Sequence, residues 1–254
     1  MKCIYLVVLA SAMIISLAWA FNDSFSQTPD SNLASNIFNN QKLIVPKNVK
    51  NFLILIPNEA HEPPGLSKEL RVINQPYVPQ NVVANTGTTL VWFDTDIPHN
   101  HQVSVVDKSS NIVFDSGIIK FNTASKPLKL NEGSGTYIFY ETTKNPKYPN
   151  FVLNGTITVT NQQQSPSDTN STSANADTLV AYMVPAKELD KRAVEFKNKG
   201  FGIDSTYSFK SLRSGGSEAG GDTQEYLLVL ASSGKDLNDV ISALHKVTST
   251  MPYT

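Results

Sequence analysis

The stretch TTLVWFDTDIPHNHQVSVVD, residues 88–107, decides how the chain is read. Thr88 to Phe93 is a β-branched and aromatic run of strand length. It ends in a turn cluster, Asp94 to Pro98, where Pro98 biases Ile97 away from helix. A second strand then begins with His99 and His101, two of the protein's four histidines. Positions i and i+2 of a strand share a face, with side chains about 6–7 Å apart. Two imidazoles at this spacing can converge on one metal ion after modest bending. The competing reading is a polar strand end with two solvated rings. Asp94 and Asp96 read as turn residues that accept backbone N–H groups, one of them placed to orient an imidazole from behind.

On either side of this stretch the pattern stays β. Upstream lie the apolar run 51–56 (NFLILI), a Pro- and Glu-rich loop holding His61, and short extended pieces at 69–73 and 77–84. Downstream, 111–114, 118–121, 127–130, 136–140 and 156–160 repeat the strand signal at similar spacing, with Asp115-Ser-Gly117 as a turn. Many short strands without helical periodicity predict an antiparallel β-sandwich over residues 47–160.

The composition changes on both flanks. Residues 1–20 carry one lysine, a long apolar stretch and a small-x-small end at Ala18-Trp-Ala20. This is the pattern of a secretory signal cut after Ala20; the alternative is an uncleaved N-terminal anchor, the one route to a membrane. Either way the chain is expected outside the cytoplasm. Residues 21–46, rich in Asn, Ser, Gln and Thr with scattered apolar residues, read as a spacer that is partly ordered near Leu43-Ile-Val45. Residues 161–176 (NQQQSPSDTNSTSANA) have almost no apolar side chains and read as a flexible linker. From 177 to 254 the period switches: a strand at 178–184, an amphipathic helix at 187–199 stopped by Gly200, strands at 205–212 and 223–230, and a helix at 236–247. The order βαββα predicts a small α+β module whose sheet edge is open to a second copy or another partner. The glycine-rich 214–221 joins two strands and lacks the ending of a phosphate loop, so it reads as a hairpin connection.

The formal charge of −1 gives no electrostatic footprint for nucleic acid. The only cysteine, Cys3, falls in the apolar N-terminal segment. The mature chain therefore has no disulfide, zinc–thiolate site, cysteine nucleophile or thiolate copper ligand. No catalytic signature is present, which leaves enzymatic activity open and disfavoured.

Residues 51–160 resemble a cupredoxin, the blue-copper β-sandwich family. Residues 77–93 are similar to the family's aromatic-x-Pro segment, glycine turn and buried strand, and 94–103 to the loop that delivers the first copper histidine. Gly135-Thr-Tyr-Ile-Phe-Tyr140 is similar to the strand that runs into the copper cysteine, and 154–159 to the closing strand. The resemblance implies a Greek-key sandwich with a copper site at one end. Yet Glu141 stands where the family has its cysteine, Lys144 where it has the second histidine, and the following loop supplies no methionine. A blue-copper electron carrier needs the thiolate and is excluded. Two readings stand. In one, a non-blue copper site is rebuilt from His101, His99, Glu141 and His61, for copper handling, electron transfer or another redox role with a redox or copper-donor protein as partner. In the other, the sandwich is a metal-free binding or structural module.

Overall fold

The computed structural model describes residues 42–58, 75–97, 99–131, 133–144, 146–161, 177–210 and 225–248, with single residues 34, 37, 39, 60 and 73. The proposed signal, His61, the piece at 69–72, the glycine-rich connection at 214–221 and residues 162–176 lie outside the described residues.

Twelve strands and two α-helices make up the described architecture: β1 (Leu43–Ile44), β2 (Asn51–Ile56), β3 (Asn81–Asn85), β4 (Thr89–Asp94), β5 (Val103–Val106), β6 (Ile112–Asp115), β7 (Leu128–Lys129), β8 (Gly135–Glu141), β9 (Asn154–Thr160), β10 (Thr178–Pro185), α1 (Leu189–Asn198), β11 (Gly202–Lys210), β12 (Glu225–Ser233) and α2 (Leu237–Thr248). One sheet has the order β1-β3-β9-β8-β5-β6 and the other β11-β12-β10-β2-β4-β7. This is a mainly β sandwich with a C-terminal βαββα lobe, as the residue pattern predicts, and its strand order is consistent with the cupredoxin-like Greek key that the resemblance implies. The expected strand at 118–121 is reduced to a single bridge, Ile119 to His101.

The sandwich is mixed rather than purely antiparallel. β2 and β4 pair in parallel, as do β3 and β9. The cause is the crossover: β3 belongs to the opposite sheet, so the chain returns to β4 in the direction it left β2. Side-chain alternation carries face but no strand direction, so sequence could not distinguish the two. The C-terminal lobe continues the second sheet. Thr178 to Val180 of β10 pair in parallel with Asn51 to Leu53 of β2, so one edge of the lobe's three strands is taken within the chain and β11 ends the sheet.

The continuous apolar runs of β2 and β4 are buried along nearly their whole length, hence on both faces. Between the sheets, Phe139 stands edge-on to Tyr77 and Trp92 at centroid distances of 4.9 and 5.5 Å, while Trp92 stacks on Phe114 at 5.7 Å. In the lobe, Tyr182 of β10 meets Phe196 of α1 edge-to-face at 5.4 Å.

The Phe139 ring is admitted by a glycine. Gly155 lies opposite Phe139 in the β8–β9 register, and a Cβ built there would stand 2.2 Å from the ring and 2.3 Å from the Gln80 carbonyl oxygen. Backbone and a buried ring cannot both retreat. Gly155→Ala should therefore destabilise the fold by about 3 kcal/mol in urea unfolding; an effect below about 1 kcal/mol would show that the core relaxes around it.

Candidate functional site: a buried carboxylate–imidazole cluster

β4 ends at Asp94 and the chain crosses to β5 through the His99–His101 segment, while β8 ends at Glu141 directly opposite Val103. These strand ends bring Asp94, Asp96, His101 and Glu141 together, and all four are buried. His99 lies in the connection before His101, and its ring is partly exposed. The two rings do not share a strand face as expected. β5 begins only at Val103, and His101 joins the fold through the single backbone bridge to Ile119.

Each ring nitrogen of His101 has a carboxylate. Nδ1 lies 2.9 Å from Oε2 of Glu141, and Nε2 lies 3.2 Å from Oδ2 of Asp96. That Asp96 oxygen also lies 3.2 Å from Nδ1 of His99. Glu141 is held by several donors at once. Its Oε1 accepts the backbone N–H of Gln102 at 2.7 Å and of Thr143 at 3.0 Å, and its Oε2 accepts the Tyr77 hydroxyl at 3.5 Å. Asp94 Oδ1 accepts the Asp96 N–H at 2.7 Å, the turn contact its position predicts, and sits 3.9 Å from His101 Nε2. Its Oδ2 is buried with no hydrogen-bond partner among the described residues.

The electrostatics follow from this packing. Burial disfavours charge on His101, but the hydrogen bonds it donates to Asp96 and Glu141 and the nearby Asp94 charge outweigh it and raise its pKa to about 9. The ring is thus an imidazolium at neutral pH. Burial raises Asp94 to about 7, with the His101 charge only partly opposing it. Burial and then the Glu141 charge push the Tyr77 hydroxyl well above its ordinary value.

Of the residues singled out in sequence, His101, Glu141 and His99 fall at this end of the sandwich, and His61 lies outside the described residues. Lys144, at the second-histidine position of the resemblance, is exposed. Sequence reasoning gave Asp96 only a supporting place, whereas it bridges both histidines. It missed Tyr77 as a Glu141 partner; the signal was that Tyr77 opens the aromatic-x-Pro segment beside β3. Copper, which the resemblance implies, does not fit this arrangement. Nδ1 and Nε2 point to opposite sides of an imidazole, so Glu141 and Asp96 flank the ring and cannot meet on one ion with it. Among the described residues, no group of three or more His, Cys, Asp or Glu side chains is arranged to hold a metal.

No protein-family model matches the sequence, and no curated protein matches it. Solved structures similar to part of the chain include a purple cupredoxin from Nitrosopumilus maritimus, at 24% identity and a TM-score of 0.32, covering 42% of this chain and 98% of that one. Reduced rusticyanin matches at 12% identity and a TM-score of 0.32, covering 53% and 97%. Reduced auracyanin from Roseiflexus castenholzii matches at 14% identity and a TM-score of 0.30, covering 43% and 96%. At such scores the fold assignment rests on the strand order itself.

The cluster sets a pH dependence whose sign is fixed. His101 is raised in the folded state above its ordinary 6.5, so its stabilisation is complete below about 6.5 and lost as pH rises through about 9. The raised Asp94 acts the same way between its ordinary 3.8 and about 7, because the folded chain keeps a proton that the unfolded chain has released. Stability measured by urea unfolding should fall steadily from pH 4 to 9, His101 alone contributing on the order of 3 kcal/mol. Glu141→Gln should cost about 3 kcal/mol at pH 6 and flatten the fall above pH 6.5. An unchanged slope in that variant would remove Glu141 from the account. His99→Ala, at a partly exposed ring, should cost less than about 1 kcal/mol.

Proposed function

We propose that this chain is an exported, cupredoxin-like module that works without copper, as a binding or structural protein outside the cytoplasm. The observation that carries this reading is the engagement of both His101 ring nitrogens by carboxylates on opposite sides. In the place where the resemblance puts a metal with its ligands, this chain has an imidazolium held between acidic side chains. Such a cluster fixes the crossing between the sheets and leaves neither ring nitrogen of His101 unengaged. Export is supported by the signal pattern of residues 1–20, and no described helix is long and apolar enough to cross a membrane. The surface offered to a partner is that of the C-terminal lobe, where the nine-residue β11 ends the sheet.

A second reading keeps copper, with His101, His99 and Glu141 as ligands and His61 joining from its loop, in copper handling or a redox role. The observation in its favour is the excess of buried carboxylate: Asp94, Asp96 and Glu141 surround one buried imidazole, and Asp94 Oδ2 has no hydrogen-bond partner among the described residues. It requires one carboxylate to give up its nitrogen of His101.

Equilibrating the purified full chain with micromolar Cu(II), followed by metal analysis and electron paramagnetic resonance, separates the two. The metal-free reading predicts no stoichiometric copper and no difference between the wild type and His101→Ala. One equivalent per chain with a type-2 spectrum, abolished by His101→Ala, would overturn it in favour of the second.

A further inference from the structure

The C-terminal helix is joined to the turn beside the buried cluster by a reciprocal pair of hydrogen bonds. Nδ2 of Asn122 donates to the His245 carbonyl at 3.1 Å, and Nδ1 of His245 donates to the Asn122 carbonyl at 2.8 Å. Because a carbonyl can only accept, His245 carries its proton on Nδ1 in this contact. Asn122 is 6% exposed and left-handed at φ 59°, a conformation that asparagine tolerates better than most residues.

The turn that carries Asn122 is bonded to the cluster along its backbone. The Asn122 N–H donates to the Asp94 carbonyl at 2.8 Å, and the Asp94 N–H donates to the Thr123 carbonyl at 3.0 Å. Just before it, Ile119 exchanges both backbone hydrogen bonds with His101, at 2.7 and 2.9 Å. One short segment, 119–123, therefore holds the main chain of both Asp94 and His101, and helix α2 holds that segment. The anchoring helix is itself fixed, since Val240 and Leu244 are fully buried. His245, one residue beyond Leu244, is exposed, so the latch sits within reach of solvent and of a partner.

We infer that the Asn122–His245 pair is an intramolecular latch through which the C-terminal lobe holds the buried cluster closed. Releasing it frees the 119–123 turn and opens Asp94 and His101 to water while the shared sheet stays intact. The β10–β2 pairing and the latch are separate connections, one through the sheet and one through the helix. A partner that engages the C-terminal end of α2 would thereby act on a cluster it never touches. This makes the lobe a control on the sandwich as well as an extension of its sheet.

Native-state amide hydrogen exchange on the full chain tests this. His245→Ala should speed exchange at the Asp94, His101, Ile119 and Asn122 amides by tenfold or more, with the Leu53 and Val180 amides in β2 and β10 unchanged. Asn122→Gly, which keeps the left-handed conformation available, should affect the same four amides. Each substitution removes one of the two hydrogen bonds and leaves the other, which ends on a backbone carbonyl, so the double variant should exceed either single one at the same four amides. Unchanged exchange at those four positions would overturn the proposal. Uniform acceleration that includes Leu53 and Val180 would also overturn it, as general loss of stability.

Discussion

A protonated imidazole fixed between two buried carboxylates is the constraint on which this end of the molecule depends. Taking one charge out of water costs several kcal/mol, and an isolated buried carboxylate would take up a proton instead. His101 is tolerated at zero exposure because Glu141 and Asp96 each take one of its N–H groups. Glu141 is tolerated because its oxygens also accept from two backbone amides and the Tyr77 hydroxyl. The network ties together the ends of β4 and β8, the entry to β5 and the Tyr77 segment, so no member can be removed without leaving another unsatisfied.

The fold delivers these groups through strand ends. The long buried strands β2 and β4 set one sheet, and the Phe139, Trp92 and Tyr77 contacts set the distance to the other. The crossing from β4 to β5 then has to bring polar side chains through the interior, where only mutual pairing satisfies them. The C-terminal lobe adds to the same frame twice, by lengthening the β2–β4 sheet and by bonding the 119–123 turn. A polar segment separates the two in sequence, but they share one sheet in space.

Much of the fold was legible because burial leaves a period in sequence. The runs 51–56 and 88–93, the alternation of 156–160 and the helical spacing of 187–199 each appear as strand or helix within a residue or two of where the pattern places them. Strand direction was not legible, since parallel and antiparallel neighbours alternate their side chains alike. Nor was the pairing of β10 with β2, because a three-residue parallel register has no local signature. The site was legible in part. Glu141 beside the Gly135–Tyr140 strand and His101 after the Asp-Pro turn marked the right end of the sandwich. The pattern could not show that the histidine's two nitrogens face different carboxylates, which depends on a ring rotation set by packing, nor that Asp96 serves both histidines.

The most direct test of the account is the protonation of the His101 ring, read from its nitrogen chemical shifts in 15N-histidine-labelled protein at pH 7.5, without and with an equivalent of Cu(II). The account predicts two protonated nitrogens, both shifts in the imidazolium range and unchanged by copper. A neutral ring with one unprotonated nitrogen, its signal lost to paramagnetic broadening when copper is added, would contradict it.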